Sequence, residues 1–154
     1  MSAITFRSYQ PHDHDTVWSV FAACTHQLGF GLGSWDDDMH NIPDSYQASG
    51  EFIVGESDGQ VVAFAGLRCD SPDRAEIRRV GVHPDMQQRG FGRALIHALE
   101  QRASNLGIRY LYLDTSVSQI AAQRLYRACG YREVERVEKS GIECIVFTKA
   151  LNGS

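Results

Sequence analysis

The stretch that decides the fold is Val80-Gly-Val-His-Pro-Asp-Met-Gln-Gln-Arg-Gly-Phe-Gly-Arg-Ala-Leu95. Its first residues are typical of a strand, and His83-Pro84 ends that strand because a residue before proline is restricted. Gly90 and Gly92 then open a segment whose apolar residues recur at helical spacing. A strand that runs through a loop into a glycine-rich helix start is an arrangement that binds phosphate groups.

The chemistry of this helix start predicts a pyrophosphate site. Its first backbone N–H groups lack partners, and the peptide dipoles add partial positive charge. Gly90 and Gly92 carry no side chain that would hold a phosphate away, and Arg89 and Arg93 add charge. A P-loop would need Lys followed by Ser or Thr after Gly92, and a dinucleotide fingerprint would need a small residue in place of Leu95. A nucleotide-binding protein is therefore a distant alternative.

Outward from this stretch, apolar periodicity predicts the element order β-α-α-β-β-β-α-β-α-β-β. Strands are predicted at 4–9, 51–56, 61–69, 75–82, 108–115, 131–137 and 142–149. Helices are predicted at 11–28, followed by a glycine-rich break at 29–34, and at 36–49 (irregular, interrupted at Pro43). Two further helices are predicted, one from Phe91 to a cap at Gly107 and one marked by Ala122 to Cys129 with a cap at Gly130. Gly59 predicts a tight turn between the second and third strands. The fold class is α+β (mixed α/β), with about seven strands in a mixed sheet and about four flanking helices.

Composition indicates an ordinary globular protein. The 154 residues are 43% hydrophobic and 22% charged, so residues 1–154 are expected to form a single domain with a sizeable core. A net charge of -4 weighs against nucleic acid as a partner. Residues 1–7 lack the apolar stretch of a signal peptide, and the apolar run at 61–67 is too short to span a bilayer. We expect a cytoplasmic protein without a membrane partner.

No metal is expected. The four cysteines form no C-x-x-C pair and no zinc-like cluster with histidine. We expect free thiols, with Cys24, Cys129 and Cys144 buried among apolar neighbours. His12-Asp-His-Asp15 is better explained by a carboxylate at a helix start than by a metal site, because side chains two residues apart diverge on a helix.

Two landmarks carry a family resemblance. Gln87-Gln-Arg-Gly90-Phe-Gly92 resembles the Q/R-x-x-G-x-G/A motif of the GNAT superfamily of N-acetyltransferases, and Leu125-Tyr126 followed by Gly130-Tyr131 resembles its second landmark. Their separation and the element order also fit the family. The resemblance implies an acetyl-CoA-dependent N-acyltransferase that moves an acetyl group to a primary amine by direct attack in a ternary complex.

The resemblance also implies a set of cofactor-binding residues. The backbone of Val80, Gly81 and Val82 would pair with the pantetheine arm, and the Val82 N–H would polarise the thioester carbonyl. The pyrophosphate would be held by Gln88, Arg89, Gly90, Phe91, Gly92 and Arg93. Many members carry asparagine where this chain has Gln119. Glutamine keeps the amide but reaches farther, so this contact stays open.

Three residues are candidates for moving protons. The resemblance implies that Tyr126 protonates the leaving thiolate, and the alternative is an aromatic residue that only packs in the core. An amine with a pKa of about 10.4 must lose a proton before it attacks. By resemblance Glu76 is the first candidate base and Asp114 the second, and a water relay is the third possibility. Glu76 could instead pair with an arginine on its strand face, and Asp114 could cap a turn.

The acceptor is left open. A small-molecule amine or a peptide amine both fit the family, and homodimers are common in it. Asp36-Asp-Asp38 predicts either a solvated turn or an acidic mouth for a cationic amine. The alternative function is a non-catalytic acyl-CoA-binding or sensing module, but Tyr126 and two candidate bases favour an enzyme.

Overall fold

The computed structural model describes residues 3–29 and 37–151. The strands are β1 (Thr5–Ser8), β2 (Glu51–Ser57), β3 (Gln60–Ser71), β4 (Arg74–Val82), β5 (Tyr110–Ser116), β6 (Arg132–Lys139) and β7 (Ile142–Ala150). The helices are α1 (His14–Gln27), α2 (Asp37–His40), α3 (Phe91–Asn105) and α4 (Ile120–Ala128).

One sheet contains all seven strands, in the order β1-β2-β3-β4-β5-β7-β6. Neighbouring strands are antiparallel except β4 and β5, which pair in parallel. α3 connects these two strands, as a parallel pair requires a long crossover. The predicted mixed sheet, its fold class and the order of helices and strands are confirmed.

Helices cover both faces of the sheet. On one face, Leu95 and Leu99 of α3 and Tyr126 of α4 pack in a core cluster with strand residues such as Leu111. On the other face, α1 and α2 pack over β2 and β3, with Phe64 in the cluster. This division follows from the alternation of side chains along a strand, which points successive residues to opposite faces.

The least regular predicted segment is divided in the structure. The helix predicted at 36–49 consists of α2 and a separate π-helical turn at Pro43–Gln47. Asp36 and residues 30–34 of the predicted glycine-rich break lie outside the described residues. The helix predicted at 11–28 begins with a 3-10 turn at Pro11–Asp13 and continues as α1. The turn before β3 is tight as predicted, with Gly59 at φ +76°.

A buried carboxylate fixes the start of α1. Asp13 is 3% exposed and accepts hydrogen bonds from Arg7 Nη1 and Nη2, each at 2.7 Å, and from the Gln10 N–H at 2.8 Å. These bonds, those from Arg7 above all, lower the pKa of the Asp13 carboxyl. The helix-start carboxylate of the sequence analysis is therefore Asp13, and its main partner is on β1.

We expect Asp13→Asn to lower the free energy of unfolding at pH 7 by about 1–3 kcal/mol, because it breaks charged hydrogen bonds to a buried group. Arg7 is partly exposed, which favours the lower part of this range. A lowered pKa stabilises the fold above the ordinary carboxyl range, so the loss should shrink as pH falls below about 4. Urea unfolding at several pH values measures the free energy of unfolding. Asp15→Asn, at an exposed position, is the control and should change stability by less than about 0.5 kcal/mol.

Candidate active site

β4 and β5 lie side by side only at their beginnings. Parallel pairing joins residues 74–76 to residues 110–112 and then stops. β4 continues to Val82 and β5 to Ser116, and a cleft of about 520 Å³ opens between the diverging strands. Beyond Glu76 the facing strand edges have no partner strand among the described residues, so a ligand with amide groups can pair with them.

A bulge bends β4 at this point. Gly81 pairs with Phe64 and Arg78 pairs with Gly66, so two residues of β4 oppose one residue of β3. One of the two is Arg79, whose φ of 58° lies in the left-handed region that side chains other than glycine rarely adopt. An extra residue bends its strand and increases its twist, which accounts for the separation of β4 from β5.

The backbone of Val82 faces away from β3. The His83 N–H donates to the Val62 carbonyl at 2.8 Å, so His83 directs its backbone groups to β3. Backbone groups alternate along an antiparallel pair, so Val82 directs its N–H and C=O to the open side. By the same alternation Gly81 faces β3, and Phe64 packs so closely on it that a Cβ there would lie 2.7 Å from the ring.

The predicted phosphate-binding turn has the geometry of an exposed helix start. Gly90 precedes α3 with φ 81°, and Gln88 also has a positive φ of 63°. A Cβ on Gly90 would meet nothing within 4 Å, so open space lies in front of the helix. Gly92 has an additional reason to be glycine, because a Cβ there would lie 3.2 Å from Leu125 of α4. The second glycine therefore allows two helices to approach closely.

The predicted acid lies at the cleft in a buried position. Tyr126 is 7% exposed and lines the cleft, and its ring lies 6.1 Å from the Tyr131 and Phe147 rings. Within the described residues its hydroxyl makes no hydrogen bond. Burial, aided by the negative charge of Asp114, raises the pKa of the Tyr126 phenol. The phenol therefore keeps its proton at neutral pH.

Both predicted bases line the same cleft, and each has a cationic neighbour. Glu76 Oε1 lies 3.4 Å from Arg78 Nη1, a long contact for a hydrogen bond. Asp114 Oδ2 lies 2.5 Å from Lys139 Nζ. The structure thus brings Glu76, Asp114 and Tyr126 together around one cleft, with Asp114 the more firmly paired carboxylate.

Comparison with known proteins identifies this arrangement. The model of the acetyltransferase (GNAT) family matches residues 14–131, which include the strand edge, the helix start and Tyr126. The chain is a GNAT family acetyltransferase. An aminoglycoside N(6')-acetyltransferase type 1 from Stenotrophomonas maltophilia is 36% identical over 149 residues, covering 88% of this chain and 91% of the relative. A protein with the same description from Salmonella typhimurium is 30% identical over 61% of this chain and 77% of its own.

Solved structures share the fold of this GNAT enzyme. A GNAT family acetyltransferase from Staphylococcus aureus superposes with a TM-score of 0.87 at 19% identity, over 97% of this chain and 100% of that one. A Salmonella typhimurium acetyltransferase solved with its cofactor acetyl-CoA gives a TM-score of 0.79 at 19% identity, over 99% and 96% of the two chains.

Sequence reasoning missed the residues that support the bulge of this GNAT enzyme. Arg79 donates from Nε and Nη2 to the two Asp38 oxygens, at 2.9 and 2.6 Å. The Tyr46 hydroxyl also donates to Asp38. Asp38 is 10% exposed, and although burial alone would raise its pKa, these bonds lower it. Asp38 is therefore neither a solvated turn residue nor a free carboxylate, while Asp37 is exposed and Asp36 lies outside the described residues.

A second missed group surrounds the Val82 carbonyl. It accepts from Cys24 Sγ at 3.2 Å and from Gln87 Nε2 at 2.9 Å, and Gln87 also pairs reciprocally with Gln27. Burial raises the pKa of the Cys24 thiol to about 11, so it stays a hydrogen-bond donor. Gln87, the first residue of the glycine motif, thus joins α1 to the end of β4.

The remaining predicted residues lie near the cleft or its end. Gln119 precedes α4, lines the cleft and accepts a hydrogen bond from Thr115 at 3.1 Å. Arg89 and Arg93 are exposed beside the helix start. Among residues 3–29 and 37–151, no group of three or more His, Cys, Asp or Glu could hold a metal ion. In the same ranges, no helix is long and apolar enough to cross a membrane.

Proposed function

We propose that residues 1–154 act as a single-domain N-acetyltransferase that moves an acetyl group from acetyl-CoA to a primary amine by direct attack in a ternary complex. The observation that carries the proposal is the divergence of β4 from β5 after Glu76, with an open helix start at the end of β4. A backbone edge suited to amides thus leads to N–H groups suited to phosphates.

The chain's residues fit acetyl-CoA as a cosubstrate. Val80 and Val82 lie on the free edge of β4, where they would bind the pantetheine amides. The backbone of residues 88–93 would bind the pyrophosphate, because the space in front of Gly90 is open to a phosphate. Gln119 has a side-chain amide at the cleft and is a further candidate contact.

Different residues around the cleft carry out different steps of the reaction. Acetyl-CoA supplies the thioester that the amine attacks. The Val82 N–H stabilises the negative charge that develops on the thioester oxygen, as a fixed donor in a cleft can. Tyr126 donates a proton to the departing sulfur, and Glu76 accepts the proton of the amine directly or through water. Asp114 is the second candidate base, since Lys139 already holds it.

The relatives support a primary amine as the acceptor. Relatives include an aminoglycoside N(6')-acetyltransferase and, at 35% identity over 49% of this chain, a [ribosomal protein bS18]-alanine N-acetyltransferase from Escherichia coli. These acceptors share an amine and differ in almost everything else. Both a small-molecule amine and a peptide amine therefore belong in the acceptor panel, and a homodimer is the oligomer to test in solution.

Binding of acetyl-CoA tests the proposed cosubstrate. At 100 times Kd, acetyl-CoA should stabilise the fold by about 2.7 kcal/mol, which raises Tm by roughly 5–10 °C for a chain of this size. Gly90→Val should abolish this shift, because its side chain would occupy the space in front of α3. Gly59→Val is the control, since Gly59 has a similar φ of +76° and equally open surroundings but lies in the β2–β3 turn. An unchanged Tm for the unmodified protein at saturating acetyl-CoA contradicts the proposal.

Turnover separates the enzyme from a sensing module. Release of the coenzyme A thiol should depend on an added amine, and mass spectrometry should find the acetylated amine. Binding without amine-dependent release across a broad panel would leave a non-catalytic acyl-CoA-binding module as the function.

A further inference from the structure

The charges that line the cleft are not those of a site for a polycation. Each of its two carboxylates has a cation beside it, Glu76 with Arg78 and Asp114 with Lys139. Arg79 adds a third cation to the lining, balanced by Asp38. No described carboxylate of the cleft is left without a cationic neighbour, so an acceptor with several ammonium groups would find little compensation there.

A surplus of positive charge lies next to Glu76. Arg68 is the direct neighbour of Glu76 on β3, and Arg78 lies two residues along β4, so the three side chains share one face of the sheet. Arg68 makes no ion pair or hydrogen bond with the described residues. Its guanidinium lies over the Tyr46 ring, 5.3 Å from the centroid. Stacking on an aromatic face leaves the edge of a guanidinium free to donate to a carboxylate.

Arg78 is also incompletely paired. Its Nε is buried and has no hydrogen-bond partner among the described residues, and its contact with Glu76 is long. Its guanidinium also lies close to Tyr46 and Asp38. Buried donors in folded proteins are nearly always satisfied, and a charged donor without a partner is costly. Two guanidinium groups thus flank Glu76, with Arg78 in the lining of the cleft and Arg68 next to Glu76 on β3.

We propose that Arg68 and Arg78 form a subsite for a carboxylate of the acceptor, so that the acceptor is an amino acid or a similar amine that carries a carboxylate. This inference rests on the proposed function. The carboxylate would complete the charge balance of the two arginines, while the amine of the same molecule lies beside Glu76, which takes its proton. A planar carboxylate matches the fork of donors that arginine presents.

Matched acceptors test the subsite. The panel contains the standard α-amino acids, β-alanine and 4-aminobutyrate, each paired with the amine that lacks the carboxylate, and kanamycin as a polycation. We expect at least one acid to have a kcat/KM about 10- to 100-fold above that of its amine, as expected for charged hydrogen bonds. The subsite is refuted if each amine has the same kcat/KM as its acid, or if kanamycin has a higher kcat/KM than every acid.

The variant Arg68→Gln tests whether Arg68 binds the carboxylate of the acceptor. It should raise KM for the preferred acid and remove the preference over the matching amine, while kcat/KM for that amine stays unchanged. The control is Arg74→Gln, because Arg74 also lies over a tyrosine ring, 4.1 Å from the Tyr112 centroid, but already has Asp70 beside it. Arg68 does not bind the carboxylate if Arg68→Gln lowers kcat/KM equally for the acid and the amine, or if Arg74→Gln has the same effect. If none of the acceptors gives thiol release, the proposed function is refuted, and the subsite with it.

Discussion

Tyr126→Phe is expected to lower kcat by about 10²- to 10⁴-fold while acetyl-CoA binds with nearly unchanged affinity, because general acid catalysis is typically worth that much. The ring keeps its packing against Tyr131 and Phe147, and only the proton donor is lost. Since the hydroxyl has no hydrogen-bond partner in the described part of the chain, stability should change little. Single-turnover kinetics and thermal unfolding measure the two quantities.

Tyr131→Phe is the matched control in the same aromatic cluster. The Tyr131 hydroxyl donates to Glu100 at 2.7 Å, and Tyr131 does not line the cleft. We expect this variant to lose about 1–3 kcal/mol of stability, because a hydrogen bond to a charged group is removed, and to keep its kcat. If Tyr126→Phe retains full activity with chemistry rate-limiting, Tyr126 is a core aromatic residue and the leaving sulfur receives its proton elsewhere.

Glu76→Gln is expected to lower kcat at neutral pH by about 10²-fold and to flatten the acidic limb of the pH–rate profile. Glutamine keeps the size and can still lie beside Arg78, but it cannot accept the proton of the amine. The profile of kcat from pH 5 to pH 9, with one acceptor, provides the measurement.

Asp114→Asn is the companion variant, with a smaller expected effect because Asp114 is held by Lys139. Should Asp114→Asn remove the acidic limb while Glu76→Gln keeps it, the two roles must be exchanged. Should both variants keep it, water carries the proton to solvent and both carboxylates are structural.

Much of the fold could be predicted because local patterns specify it. The spacing of Leu95 and Leu99 identified one face of α3, and both are fully buried in the structure. Gly107 and Gly130 were predicted to end helices, and they have φ values of 85° and 94°, which glycine adopts without strain. The segment at 36–49 was less predictable, since α2 is four residues long and depends on contacts such as that of the Trp18 indole N–H with the Met39 carbonyl.

The candidate site was predicted by motif more than by chemistry. The glycine motif and the Leu-Tyr landmark identified residues that the fold does bring to one cleft. The same motif suggested one reason for both glycines, and the structure adds a second for Gly92, because a Cβ there would lie 3.2 Å from Leu125. Nothing in a single sequence indicates that Asp38 belongs to Arg79, which lies 41 positions farther along the chain.

By itself, the sequence determined most of the helices and strands and the helix start at Gly90, because periodicity and glycine conformation act within a few residues. Only the tertiary structure decided where β4 leaves β5, which backbone groups face the opening, and which charges are already paired. These features depend on strand register and on side chains distant in sequence, such as Arg79 at φ 58° held by Asp38. Register and long-range ion pairs are properties of the assembled sheet, and no local pattern encodes them.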